Sequence, residues 1–477
     1  MEEKNNLENI IFNDPLSIID ENPELTTVVA ATKIHNDNKS LLSTKFFTKI
    51  SRGYTFFTVL KVISYSINEI SFILPYCLRK LGIIPFFLLL IILTFSSVYI
   101  FYLLIDIIIK HKIFNNYHKI IQEKTNKYLN ISYYSINIIY NVLLLIFQNY
   151  LYLSICQRII SFFGLEMENI FLEKVIVLSL SLIIIEFPFS LIKYFQKPDI
   201  LYIIITGLIV ILNIISLIFI IIHKSYDHIE LKKINFFEGF SKEYFTCFSI
   251  IMTSLGWQNQ IAKQLESFKI KTSNRFHKVV YLFFITLFFL IIFICFASTS
   301  LISDKGDIII FLLDHKNENL TQFSTIQTMC IIFGLVIHVI IAHHIQLIQE
   351  NLLLILKLTI ENNVGEEYEI NKCFSACFNL FILIIINIVS LMIDDISIIV
   401  VLYGGVFTSL LNYFFPTCSY WMMASKNSLV VWVAWLITFI IISFSLACFM
   451  LKAFLELNYY LILIYYLSYI IYHILFN

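Results

Sequence analysis

From Tyr54 to Asn477 the chain repeats one pattern, a run of about 20 mostly apolar residues followed by a short polar interval. At about 1.5 Å rise per residue, such a run is the length that crosses the roughly 30 Å hydrocarbon core of a bilayer as a helix. The runs are about twice the length of a barrel strand, so the pattern predicts an all-α polytopic membrane protein. Composition agrees: 59% of the 477 residues are hydrophobic and only 14% are charged, against about 25% charged in soluble domains. Spans are predicted at 54–77, 83–109, 134–160, 173–192, 199–222, 243–264, 278–301, 322–348, 374–393, 396–422 and 429–451, eleven in all. The tyrosine-rich stretch 458–476 is long enough for a twelfth span and equally suited to lie in the membrane interface.

Residues 1–53 are polar, of mixed charge, and punctuated by Pro15 and Pro23. They lack a basic start followed by an apolar core, which predicts a disordered cytosolic tail rather than a signal peptide. With the tail inside, the tail and inner loops carry 21 Lys and Arg, against 11 on the other side, Lys61 lying within a span. This asymmetry favours a cytosolic N-terminus. Of the sequons beginning at Asn38, Asn130 and Asn319, this topology puts only Asn319 outside. The chain is then an integral multi-pass protein of the plasma membrane or of an internal acidic or vacuolar membrane. Balanced charge, 33 basic and 33 acidic residues, disfavours nucleic acid as a partner. The nine cysteines are scattered through apolar stretches; Cys373 and Cys377, alone in being close, read as small apolar fillers, with no metal site implied. No phosphate-binding Gly-rich loop with Lys-Ser/Thr occurs, and no span carries a catalytic cluster, so neither ATP-driven pumping nor an enzyme is expected, and no cofactor.

Two spans are polar at mid-depth. The first carries Ser64-Tyr65-Ser66-Ile67-Asn68-Glu69-Ile70-Ser71 just before Leu74-Pro75-Tyr76. The proline removes a backbone bond beside a polar cluster, which predicts a broken helix. Glu69 is the sharpest functional clue, because an ionisable group at mid-depth is costly unless it faces protein, water or a partner. The sixth span reads Thr246, Ser249, Thr253, Ser254, then Gly256-Trp257-Gln258-Asn259-Gln260. Two interrupted segments at corresponding places in two five-helix halves point to a secondary transporter with inverted repeats. Half-helix termini there offer N–H groups to an anion and carbonyls to a cation, which suits a zwitterion.

From about Tyr54 to Met450 the chain resembles the amino acid/auxin permease family. Leu74-Pro75-Tyr76 with Lys80-Leu81-Gly82 looks like the end of that family's first helix and its following turn. Tyr152 with Gln157-Arg158 stands where the third helix carries a Tyr and a small-acidic pair, here changed. Phe187-Pro188-Phe189-Ser190 with Lys193 is similar to the close of the fourth helix, and Gly256-Trp257-Gln258-Asn259 to an element of the sixth. Asp394-Asp395, Gly404-Gly405 and Pro416 match the acidic turn, glycine and proline of the tenth. The family's Gly-x-Gly break corresponds here to Asn68-Glu69-Ile70, a departure that puts a carboxylate beside the expected carboxylate site. The resemblance implies the amino acid–polyamine–organocation transporter fold: a 5+5 inverted-repeat core over 54–451 with helices one and six broken. It also implies an amino acid substrate.

The expected substrate-binding residues are Ser66, Asn68, Glu69, Ser71, Thr253, Ser254 and Trp257, with Glu69 also the coupling residue or a selector of cationic substrates. Protons are favoured over Na⁺ because Glu69 can titrate. Gln148, Asn149, Thr325 and Thr328 could face the central site but read first as interhelical hydrogen-bonding groups; His338 could relay protons but reads first as a packing residue, His343-His344 as too isolated for a metal, and Glu186 as snorkelling to the interface. The function expected is alternating-access amino acid transport; the alternative is a sensor that binds an amino acid on the same fold and signals through its tail.

Overall fold

The computed structural model describes residues 55–66, 73–110, 127–162, 164, 169–192, 235–237, 243–256, 273–299, 340–359, 372–393, 396–423 and 428–476, with scattered positions in 203–218. All belong to the unit Thr55–Asn477. Every regular element among them is helical. Six helical stretches are long and apolar enough to cross a membrane: Ile83–Lys110, Lys127–Gln157, Phe276–Ala297, Cys373–Met392, Ser397–Met423 and Leu429–Phe454. Large apolar side chains line the outside, Phe95 at 71% and Phe439 at 69% exposure among them, while Ser97, Asn149, Ser249 and Asn412 are buried. That inversion is what lipid as solvent selects.

The first predicted span is two helices, α1 (Thr55–Ser66) and α2 (Leu74–Leu81). The residues between them, Asn68, Glu69 and Ser71 included, lie outside the described residues. Helix α2 starts afresh from a turn at Ile73, with Pro75 in its first turn, where a missing N–H costs nothing. It ends at Gly82, whose φ of +81° is a conformation that suits glycine. Helix α3 (Ile83–Lys110) follows at once, and the N–H groups of Ile83 and Ile84 donate to the carbonyls of Asn235 and Phe236, at 3.1 and 3.0 Å. Two donors at a helix start are thereby satisfied by a distant segment.

Helix α4 is Lys127–Phe162, and α5 is Ile170–Ser181, N-capped by Asn169, whose side chain accepts from the N–H groups of Phe171 and Leu172. A π-turn, Leu182–Glu186, joins α5 to α6 (Phe187–Leu191). Pro188 accounts for it: its ring nitrogen has no hydrogen to give the carbonyl four residues back, and the ladder re-registers around the gap. Helix α7 is Glu243–Ser254, α8 is Ser273–Thr299, α9 covers residues 340–359, and α10 is Lys372–Met392.

The tenth span, predicted at 396–422, is the helical stretch Ser397–Met423 and is strongly distorted. Helix α11 (Ser397–Val400) leads into π-helix at Val401–Phe407 and again at Leu410–Phe414 before α12 (Phe415–Met423). Gly404-Gly405 lies in the first π-stretch, where the Thr408 hydroxyl donates to the Tyr403 carbonyl five residues back at 2.9 Å. Pro416 follows the second and leaves the carbonyl of Asn412 without its usual donor. Helix α13 then runs unbroken over Leu429–Phe476, about 72 Å at 1.5 Å per residue. It continues through Lys452-Ala453-Phe454-Leu455-Glu456-Leu457, which is rich in helix formers and carries no Gly or Pro.

The packing sorts these elements into two groups. Helix α8 packs against α1, α2 and α3, α2 packs against α3 and α7, and α7 also packs on α3 and on the π-bent tenth segment, which α4 meets as well. Helix α4 packs against α5 and α10, and α10 also meets α6. Polar contacts tie α9 to α4 and α10: Asn137 to Asn351 at 3.5 Å, and Gln349 to Ser375 at 2.9 Å.

Candidate functional site

Helices α2 and α7 are in contact. The Tyr76 hydroxyl donates to Glu243 Oε2 at 2.7 Å, the Cys77 thiol to the Cys247 carbonyl at 3.8 Å, and the Tyr244 hydroxyl to the Leu81 carbonyl at 3.4 Å. Helix α7 stops at Ser254, where the N–H groups of Leu255 and Gly256 tighten onto carbonyls three residues back, and Gly256 has left the helix. The start of α2 and the end of α7 are both helix termini. The Tyr76–Glu243 bond joins the first turn of α2 to the first residue of α7. A double-mutant cycle of Tyr76→Phe with Glu243→Leu should return a coupling of about 1 kcal/mol in unfolding stability, the net size of a typical hydrogen bond. Strictly additive losses would show that the two side chains act independently.

The tenth segment closes on α7 without space between them. A Cβ on Gly404 would run into the Thr253 hydroxyl and lie 2.8 Å from the Ser249 carbonyl oxygen; one on Gly405 would lie 2.8 Å from Ser249 Oγ. A Cβ on Gly256 would lie 2.5 Å from Thr408 Cγ2 and 2.7 Å from Asn412 Nδ2. Glycine at these positions lets two irregular backbones touch. Around this contact sit the buried Ser249, Thr253, Thr408, Ser409 and Asn412, and the Asn412 Oδ1 atom has no hydrogen-bond partner among the described residues.

Of the expected substrate-binding residues, Ser66, Thr253 and Ser254 are described and buried. Their hydroxyls donate to carbonyls of their own helices, at Val62 (3.1 Å), Ser249 (2.8 Å) and Ile251 (2.7 Å). Each oxygen keeps accepting capacity. Asn68, Glu69, Ser71 and Trp257 lie outside the described residues, as do Thr325, Thr328 and His338. Thr408 and Asn412 join the site beyond the expected set; the signal that points to them is their place between Gly404-Gly405 and Pro416.

A second polar centre lies in the other group of helices. Glu186, the last residue of the π-turn, is 0% exposed, so the snorkelling expected of it does not occur. Ser181 Oγ lies 2.9 Å from its Oε1, and Asn387 Nδ2 donates to its Oε2 at 2.9 Å. Asn387 Oδ1 accepts from Asn149 Nδ2 at 2.8 Å, so the chain of contacts joins α10 to α4. The π-turn makes this possible: residues five apart diverge around an α-helix but come to one face when the local repeat is five. Tyr152 of α4 adjoins the same cluster, beside Ser181, Glu186 and Cys156.

Helix α4 carries a third feature. Asn130, Asn137, Asn141 and Gln148 fall on one face at helical spacing, and Asn130, Asn141 and Gln148 are buried. His344 Nδ1 meets Asn141 Oδ1 at 2.9 Å, and the His343 and His344 rings are 5.7 Å apart, both buried. Cys373 and Cys377 are exposed rather than packed as fillers. No protein-family model matches the chain, and no curated protein sequence matches it.

Proposed function

We propose that the chain is a secondary active transporter of amino acids, built as a 5+5 inverted repeat and working by alternating access. The observation that carries this reading is the α2–α7 pair: two short helices in contact, one starting afresh at Leu74 and the other stopping at Ser254, with Ser249, Thr253 and Ser254 buried. Termini of that kind present unpaired N–H and C=O groups to a zwitterion. The division of the packing adds support, with α1, α2, α3, α7 and α8 forming the moving bundle and α4, α5, α6, α9 and α10 the scaffold. The likeness of Pro75, Gly256, Gly404 and Pro416 to the amino acid/auxin permease pattern supports an amino acid as substrate.

On this reading substrate sits between Ser66–Ser71 and Thr253–Trp257, with Thr408 and Asn412 behind it. Protons drive uptake in preference to Na⁺, and the tail is cytosolic. Purified full-length protein in proteoliposomes, offered a panel of labelled amino acids, should accumulate at least one of them when a pH gradient is imposed. An Na⁺ gradient should not substitute. Uptake of none of the panel above protein-free vesicles would refute the proposal.

A further inference from the structure

The buried carboxyl of Glu186 lies in the scaffold group, away from the α2–α7 pair, and no role in substrate binding accounts for it. We propose that Glu186 is the site that takes up and releases the coupled proton, an inference that rests on the transport reading above. Two of its hydrogen-bond partners differ in chemistry. Asn387 Nδ2, on Oε2, is a donor only, and its amide is held in that orientation by Asn149, which donates to Asn387 Oδ1. Ser181 Oγ, on Oε1, is a hydroxyl that both donates and accepts.

A proton can therefore be accommodated at one oxygen without breaking either contact. With Glu186 ionised, the Ser181 hydroxyl donates to Oε1. When a proton binds at Oε1, the Ser181 hydrogen rotates away and the new O–H donates to Ser181 Oγ, while Asn387 continues to donate to Oε2. One proton is gained, no bond between heavy atoms changes, and the hydrogen bond reverses direction. Tyr152, beside Ser181, continues the hydroxyl series. It and Cys156 are the titratable side chains that α4 brings to this cluster among the described residues, and α10 presents the neutral Asn387. The cluster joins α4 to α10 through the π-turn, so a change of charge there bears on how the scaffold helices meet.

The test uses the full chain in proteoliposomes with two readouts: pH-difference infrared spectroscopy of carboxyl groups, and uptake of whichever labelled amino acid the parent accumulates. The parent should show a buried protonated carboxyl that titrates, and Glu186→Gln should lose that band. Glu186→Gln donates permanently to Ser181, as the protonated acid does. It should keep substrate exchange but lose accumulation, which a one-unit pH gradient can drive about tenfold per proton. Ser181→Ala, which leaves the carboxyl in place, should displace the titration of the band, and Ser181→Thr should restore it; this pair decides the matter if Glu186→Gln fails to fold. An unchanged band in Glu186→Gln, or accumulation lost in Glu69→Gln but kept in Glu186→Gln, would overturn the assignment while leaving transport standing. A band lost in Glu186→Gln while the parent itself moves no amino acid would overturn the transport reading instead.

Discussion

Asn387→Leu is expected to destabilise the folded protein by about 2–4 kcal/mol, a large effect for a change that keeps the number and branching of the heavy atoms. Asn387 is the middle of the contacts joining α10 to α4 and the π-turn: it donates to Glu186 and accepts from Asn149. Leucine removes both functions at once. Glu186 Oε2 loses a donor and Asn149 Nδ2 loses its acceptor, in a place where water does not replace them. Interhelical hydrogen bonds in membranes average only about 0.6 kcal/mol, because the unfolded chain in lipid finds other partners. The larger figure comes from stranding two buried polar groups, each costing about 1–3 kcal/mol. Unfolding in mixed micelles measures it. Because Asn149 acts through Asn387, adding Asn149→Leu to Asn387→Leu should cost little more, whereas additive losses would contradict the chain of contacts.

Gly404→Ala should be at least as damaging, about 3 kcal/mol or more, at the upper end of what overpacking usually costs. Its Cβ would strike the Thr253 hydroxyl and the Ser249 carbonyl, and the second of these is backbone that cannot rotate aside. Helix α7 would have to separate from the tenth segment, carrying Thr253 and Gly256 with it. Gly405→Ala supplies the contrast, because its Cβ would meet the Ser249 Oγ, a side-chain atom that can turn. Removing that hydroxyl with Ser249→Ala should relieve Gly405→Ala and leave Gly404→Ala unrelieved. Equal rescue of both would mean that the close approach of the two backbones is not what glycine provides there.

These two sites show what is legible in the residues alone. Runs of apolar side chains reveal the helices, and Pro75 and Gly256 mark where α2 begins and where α7 has ended, because both residues act on the backbone locally. The glycines at 404 and 405 are also visible, but that they seat Thr253 and Ser249 is a fact of tertiary contact. Glu186 misleads for a related reason. Its position two residues before Pro188 near a span end resembles an interfacial anchor, whereas the π-turn that Pro188 induces swings the carboxyl inward onto Ser181. Asn387 carries no signal of its own, since a lone Asn in an apolar helix reads the same whether it packs, bonds or faces lipid.

Counterflow tests the central claim most directly. Proteoliposomes preloaded with an excess of unlabelled amino acid, diluted into a trace of the same labelled compound with no ion gradient, report whether one site is exposed alternately to the two sides. Alternating access predicts a transient overshoot, in which labelled substrate rises above its equilibrium level and then decays, because unlabelled substrate leaving returns the site loaded with label. A protein that binds the amino acid, shown by a ligand-dependent rise in thermal stability, yet gives no overshoot would be a sensor on a transporter-like fold, and alternating-access transport would be refuted.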